Sequence, residues 1–373
     1  MKAMRGHSLQ ASELTPDLIK LWKACCRANP LYHSPFYWPQ FTQTVAEVRC
    51  DVRIAIFEQH GDVVGFLPFH LLRSGVGKPV GGQLNDYQGP ILAPGVRINP
   101  HNLLQAAGIS SYDYNHLPAS FEELTADAQG NSISPQMNLG DGYNAFVARK
   151  DSSWTKAKRE MRRRSRKTEK DIGPLRFTFH DSHDSIYRRH IEMKNALYER
   201  AGTQFRIRSD WISEVLERLR HYSDPEFSAV MTTLHAGDRL LAAHFGLRTS
   251  SVWHWWFPSY DLAAYKLGPG INLVDRCAMA AEQHDIALID FGRGDGAFKL
   301  LFADQYVDLC EGAITRPGSL AKILRTGTNA VVTAAERLPL GRFGTYPRRA
   351  AAKFVSGVVL PNDAQTAGDR NVL

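Results

Sequence analysis

Val252-Trp-His-Trp-Trp-Phe-Pro258, then Tyr265-Lys-Leu-Gly-Pro-Gly270, then Ile286-Ala-Leu-Ile-Asp-Phe291 running into Gly292-Arg-Gly-Asp-Gly296, is the stretch that decides the fold. The aromatic run has the composition of a buried strand that ends at proline. After the Gly-Pro-Gly turn, Ile271, Leu273, Val274, Cys277, Ala278 and Ala281 recur at helical spacing. Residues 286–291 read as a second strand, 292–296 as a glycine-rich exit and 297–303 as a short last helix. Strand, glycine loop, helix, strand is an α/β pattern. It is also the arrangement that builds an anion site. Glycines let a pyrophosphate approach the backbone, and the free N–H groups of the first helical turn point at it from the positive end of the macrodipole. Lys266 adds a full charge beside that turn.

Working outward, a hairpin occurs twice. Val52-Arg-Ile-Ala-Ile-Phe57 turns at His60-Gly61-Asp62 and returns through Val63 to Phe69. Ser228 to Leu234 turns at Ala236-Gly237-Asp238 and returns through Leu240 to Leu247. Both are β-type runs bounded by a Gly-Asp turn, and a helical pattern precedes each: Leu18 to Ala24 in the first half, Trp211 to Leu219 in the second. Equivalent order and turn chemistry in two halves favour a tandem duplication. The expected class is therefore α/β, two domains of mixed sheet flanked by helices. Gly61, Gly65, Gly81, Gly82 and Gly89 read as turn and bulge positions, because no helix pattern follows them directly.

Between the halves, Trp154 to Lys170 is strongly basic. At helical spacing Arg159, Arg162, Arg163, Arg166 and Lys170 share one face, and Trp154, Ala157, Met161 and Ile172 the opposite one. The division that follows is an amino-terminal domain over 1–150, a basic helix over 151–172, a second domain over 173–318 and a basic, helical extension with a polar tail over 319–373. With 43% hydrophobic and 22% charged residues in 373, the chain has the balance of a globular protein, and its net charge of +7 suits anionic partners. Cys25, Cys26, Cys50, Cys277 and Cys310 are odd in number and form no CxxC pair, which argues against a disulfide framework and a zinc site. The first residues have no apolar core for a signal peptide, and no run reaches the roughly 18 apolar residues of a membrane span, so a cytoplasmic protein is expected.

Rival motifs fail on context. Asp290-Phe291-Gly292 spells a kinase metal triplet without the loops that accompany it, and neither a Walker A lysine-serine pair nor a GxSxG elbow is present. The second half instead resembles the GNAT-fold acetyltransferases of the cellulose and exopolysaccharide biosynthesis (CelD) type, which are similar in layout to the FemAB-type transferases with tandem GNAT-like domains. The residues that carry the resemblance are Ala242 to Arg248, His254 to Asp261, Gly268-Pro269-Gly270, Asp290 to Gly294 and Lys299, with His33-Ser34-Pro35-Phe36, Gly65 to Phe69 and Asp86 to Gly89 in the first half. It spans roughly residues 30–315.

The resemblance implies acyl transfer from acetyl-CoA or another acyl-CoA to a small-molecule or glycan acceptor. It implies that the pantetheine arm lies along the strand Val252 to Pro258, at Trp256 and Phe257. The pyrophosphate loop of such enzymes usually reads Arg/Gln-x-x-Gly-x-Gly/Ala; here it is Tyr265, Lys266, Leu267, Gly268, Pro269 and Gly270, with Asn272 just inside the helix. Tyr265 thus replaces the usual leading side chain. Related sequences often carry Tyr-Lys where this chain has Phe298-Lys299, which leaves Lys299, water or no acid at all for the leaving thiolate. For a general base His244 ranks first, as a histidine on a central strand, followed by Asp295, His254 and Asp290. Two other readings stay open: aminoacyl transfer from charged tRNA bound by the basic helix, and a non-catalytic scaffold for polysaccharide synthesis.

Overall fold

The computed structural model describes residues 4–318 apart from 204 and 209. The helical pattern of 320–338, the basic run 348–353 and the polar tail lie outside the described residues. The described residues form two compact units, one of 4–28, 45–131 and 310–318, the other of 29–44 and 132–309. The two units are interleaved in sequence. The physical reason is that strand edges and apolar faces take whichever segment fits them, regardless of chain order.

In the first unit the sheet order is β1 (Arg5–Gln10), β2 (Val52–Gln59), β3 (Asp62–Leu71), β4 (Val76–Pro79) and β6 (Ser111–Pro118). The part of β14 (Gln305–Thr315) from Cys310 on follows β6, and the short β5 (Ile91–Leu92) pairs with β3. The β2–β3 hairpin closes at Gln59↔Asp62, so its turn is His60–Gly61, with φ of 57° and 92°. Positive φ at both positions matches the twist of the flanking strands. Helix α1 (Pro16–Ala28) stacks Trp22 on Phe66 of β3 at 5.0 Å. Leu67 and Phe69, pointing the other way, join Leu103 and Leu104 of α3 (Pro100–Ala107) in the core. The end of α2 (Pro39–Val48) and the short α4 (Glu122–Thr125) complete the unit.

A polar chain fixes one corner of this unit. Arg49 donates to Asp51 at 2.6 Å, the Asp51 carboxylate faces His70 Nδ1 at 3.1 Å, and the Gly81 amide donates to His70 Nε2 at 3.0 Å. Because Nε2 accepts, the ring proton sits on Nδ1 and is given to Asp51. Burial raises the Asp51 carboxyl, but the hydrogen bonds from His70 and Arg49 outweigh it and hold the group well below the usual carboxylate range. A pKa lowered by folding contributes stability above its unfolded value, about 3.9, and loses it as pH falls toward the folded one. Asp51→Asn should therefore melt lower than wild type at pH 6, with the gap closing toward pH 2. Melting curves that stay parallel across that range would refute the assignment.

The second unit orders β7 (Gly130–Asn138), β13 (Leu288–Asp290), β12 (Val252–Tyr260), β11 (Arg239–Arg248), β10 (Phe227–Ala236) and β8 (Leu175–Thr178), with β9 (Ser223–Asp224) on β10. β12 and β13 run parallel and their other neighbours antiparallel, so the sheet is mixed. Trp253 and Trp255 meet α5 (Tyr143–Arg149), α6 (Ser152–Asp171), α9 (Pro269–Ala280) and α10 (Ala297–Phe302) through Phe146, Trp154, Met161, Leu273 and Phe302. On the opposite face, Phe245 receives Tyr187 of α7 (Asp184–Arg200) at 5.9 Å. Asp210 caps α8 (Trp211–Leu219), which buries the expected stripe of Ile212, Val215, Leu216 and Leu219. Helix α6 buries Trp154, Met161 and Thr168 and exposes Arg159, Arg162, Arg163, Arg166 and Lys170.

Candidate active site

The site is built where β12 and β13 part. Their pairing covers only Val252↔Leu288, Trp253↔Ile289 and His254↔Asp290. β13 then ends, while β12 continues to Tyr260 against β11 alone. Among the described residues, the outer edge of Trp255–Tyr260 therefore has no strand partner, and it lies at the carboxyl end of a parallel pair, where open sheets form crevices. The β11–β12 register bulges between Phe245 and Leu247 at the same point, re-aiming the backbone there.

Beyond Tyr260, Asp261 caps a 3₁₀ turn, Leu262–Leu267, and is clasped by Arg239 at 2.8 and 2.6 Å. Gly268, at φ 61° and ψ 47°, ends that turn and opens α9. A left-handed residue here needs glycine, and Pro269 at the first helical position has no N–H to leave unpaired. The Gly268 amide bonds Tyr265 O and the Asn272 amide bonds Gly268 O. Among the described residues, the amides of Gly270 and Ile271 have no acceptor. Arg200 lies over the Tyr265 ring at 4.6 Å, Lys266 is exposed, and Arg164 of α6 reaches Gly268. Asn272 is 6% exposed, and its side chain is occupied in joining Ser165 of α6 (3.0 Å) to Gly268 O (3.1 Å).

These features bring Tyr265, Lys266, Leu267, Gly268, Pro269, Gly270 and Asn272 together at one end of the crevice. Trp256 and Phe257 are buried on the strand leading to it. Trp256 packs against Phe36 (5.5 Å), Phe41 (6.3 Å) and Phe245 (6.1 Å), and Lys194 of α7 stands 5.9 Å over the Phe257 ring. Phe36 also meets His254 edge-on at 4.7 Å, so the early segment 29–44 belongs to this site.

His244 is fully buried, stacked 3.7 Å from Trp255, and its Nε2 accepts the Trp256 amide at 3.0 Å. Burial, with the charges of His190, His254 and Lys194, pushes its pKa well down, so the ring is neutral. With Nε2 accepting, the proton is on Nδ1, and no lone pair is left to take a proton from an acceptor. His244 thus supports the bulge of β12. Asp290 is 1% exposed; it accepts from Ser134 Oγ (2.7 Å), Gln136 Nε2 (2.6 Å) and the Gly292 amide (2.8 Å), with His254 at 3.6 Å. Lys299 donates to Arg293 O at 2.7 Å. Asp290 and Lys299 together clamp the glycine turn after β13, on which Asp295 is exposed. Phe298 packs on the core beside Phe291 at 6.1 Å.

The acetyltransferase (GNAT) domain family matches residues 155–300, the span that contains this crevice and its loop. Residues 155–300 are thus similar to a GNAT acetyltransferase domain. Among solved structures, FemX superposes with a TM-score of 0.54 at 11% identity, over 85% of this chain and 99% of that one, a likeness of fold alone. The C-terminal domain of a putative lysylphosphatidylglycerol synthetase from Agrobacterium fabrum gives 0.49 at 9% identity, over 77% and 91%. A tandem GNAT protein from the clavulanic acid pathway gives 0.45 at 10%, over 84% and 99%. No curated protein matches the sequence. Among the described residues, no helix is long and apolar enough to cross a membrane.

Sequence reasoning missed Arg164, Ser165 and His190. His190 of α7 is fully buried with Nδ1 2.7 Å from Ser259 Oγ of β12. Arg164 did leave a signal: it lies three residues after Met161 and four before Thr168, inside the stripe that packs inward.

Proposed function

We propose that the protein is an acyl-CoA-dependent acyltransferase that moves the acyl group directly onto an amine or hydroxyl of a small-molecule or glycan acceptor. One observation carries the reading: the unclaimed amides of Gly270 and Ile271 open a helix just past the unpartnered edge of β12. A diphosphate fits those amides and the cations around them. An extended pantetheine arm fits the free edge of Trp255–Tyr260, where its amides take the hydrogen bonds that a further strand would make.

The acceptor's lone pair attacks the thioester carbonyl carbon, the C–S bond breaks, and the thiolate leaves with its electron pair. The attacking group's proton goes to a base or to water. Asp295, an exposed carboxylate on the turn beyond β13, is our assignment for that base. Lys299 and His244 hold the turn and the bulge on which the reaction depends. Titration calorimetry with acetyl-CoA and longer acyl-CoAs should give saturable binding near one per chain, and ligand in large excess should raise the melting temperature. Folded protein that binds none of them would end this reading.

A second reading, transfer from an aminoacyl-tRNA, is favoured by α6. Arg159, Arg162, Arg166 and Lys170 are exposed there and have no ion pair among the described residues. It requires tRNA binding that weakens steeply with salt and is lost when those residues are neutralised.

A further inference from the structure

We propose that Arg164 is a ligand of the diphosphate, supplied by α6 in place of the side chain that Tyr265 cannot provide. The inference rests on the acyl-CoA reading and adds a residue that lies outside the loop's own motif. A Cβ on Gly268 would come within 2.8 Å of Arg164 Nη1 and 3.3 Å of its Cδ, so the guanidinium lies directly on the glycine that opens α9. Tyr265 carries neither a cation nor an amide, and its ring is itself covered by Arg200 at 4.6 Å.

Arg164 is held in place and not merely near. Its Nε donates to Glu160 Oε1 at 2.7 Å, which fixes the guanidinium plane and leaves the two terminal nitrogens without an acceptor among the described residues. Helix α6 is fastened to α9 at two levels. Ser165 bonds Asn272 at 3.0 Å, and one turn further along α9 Lys158 pairs with Asp275, which also accepts from Tyr143 at 2.6 Å. Two features of the same sign, a guanidinium and a positive helix end with two unpaired amides, are thereby fixed side by side. Such a juxtaposition is unfavourable in an empty site and favourable once an anion sits between them. The buried Tyr260 oxygen also has no partner among the described residues, and its ring edge is 3.5 Å from where a Gly270 Cβ would be. A planar fork is the donor geometry that bridges two phosphate oxygens.

The test compares acetyl-CoA with S-acetyl-pantetheine, which keeps the thioester arm but has no diphosphate. Arg164→Ala is expected to weaken acetyl-CoA binding by about 10- to 100-fold, the range of one or two charge-assisted hydrogen bonds. The KM for S-acetyl-pantetheine should stay at its wild-type value, and kcat with saturating acetyl-CoA should change little. Arg164→Lys keeps the charge without the fork and should fall between the two. Equal weakening toward both donors, or unchanged acetyl-CoA binding by a folded Arg164→Ala protein, would overturn the assignment while leaving the acyl-CoA reading intact. Wild-type protein that binds no acyl-CoA overturns both.

Discussion

Gly270→Leu is expected to cut acyl-CoA binding by about 100-fold or more while leaving the fold intact, because two charge-assisted contacts of about 1.5–3 kcal/mol each are at stake. Gly270 has ordinary helical φ, and a Cβ there would meet Tyr260 Cδ1 at 3.5 Å, an unstrained contact. Helical side chains lean toward the helix amino terminus, so a leucine at this position covers the open amides of Gly270 and Ile271. Gly270→Ala isolates the effect on stability: replacing glycine at a compatible site stabilises by about 0.4–1 kcal/mol. The expected pattern is a melting temperature at or above wild type in the alanine variant, together with affinity that falls from glycine to alanine to leucine. Gly268→Ala differs, since its left-handed φ of 61° strains any side chain, and it should lose stability as well as binding. If Gly270→Leu binds acetyl-CoA as wild type does, the cradle is misplaced.

Asp290→Ala is expected to destabilise the protein by at least about 3 kcal/mol, measured as a shift of the urea midpoint at unchanged slope. Removing the carboxylate strands the Ser134 hydroxyl, the Gln136 amide and the Gly292 N–H in a site only 1% exposed, and each unmet donor costs about 1–3 kcal/mol. Asp290→Asn keeps one acceptor oxygen and turns its amide nitrogen toward a donor, so it should lose less, though still measurably. This pair of variants separates a structural carboxylate from a catalytic one. A base would show Asp290→Asn stable and inactive; a clamp shows stability and activity falling together. A loss below about 1 kcal/mol in the alanine variant would mean that solvent or a neighbouring group already satisfies those donors.

Much of the architecture was legible in local pattern. Alternation and a Gly-containing turn located both hairpins, and the ends moved only to Val52–Gln59, Asp62–Leu71, Phe227–Ala236 and Arg239–Arg248. The Trp-rich run became β12, and the helical stripes of Trp211–Leu219 and of the basic segment became α8 and α6. Such elements can be read because their periodicity is set by the backbone itself. The second strand was harder: 286–291 was expected, and only Leu288–Asp290 pairs, because pairing length depends on where the neighbouring strand diverges.

Sequence by itself determined the α/β class, the order strand–glycine loop–helix, and the glycine and proline positions that leave amides free at the start of α9. These are properties of φ, of missing donors and of side-chain period, and each acts within a few residues. Tertiary structure alone decided what surrounds that loop. Asp290 meets Ser134 and Gln136 from 156 and 154 residues away, Phe36 reaches His254 from the first half of the chain, and Arg164 lies on Gly268. It also decided that His244 has its lone pair taken by the Trp256 amide. Such partnerships depend on which faces pack together, and that is settled by the burial of whole helices and strands, a sum over distant residues that no short window of sequence contains.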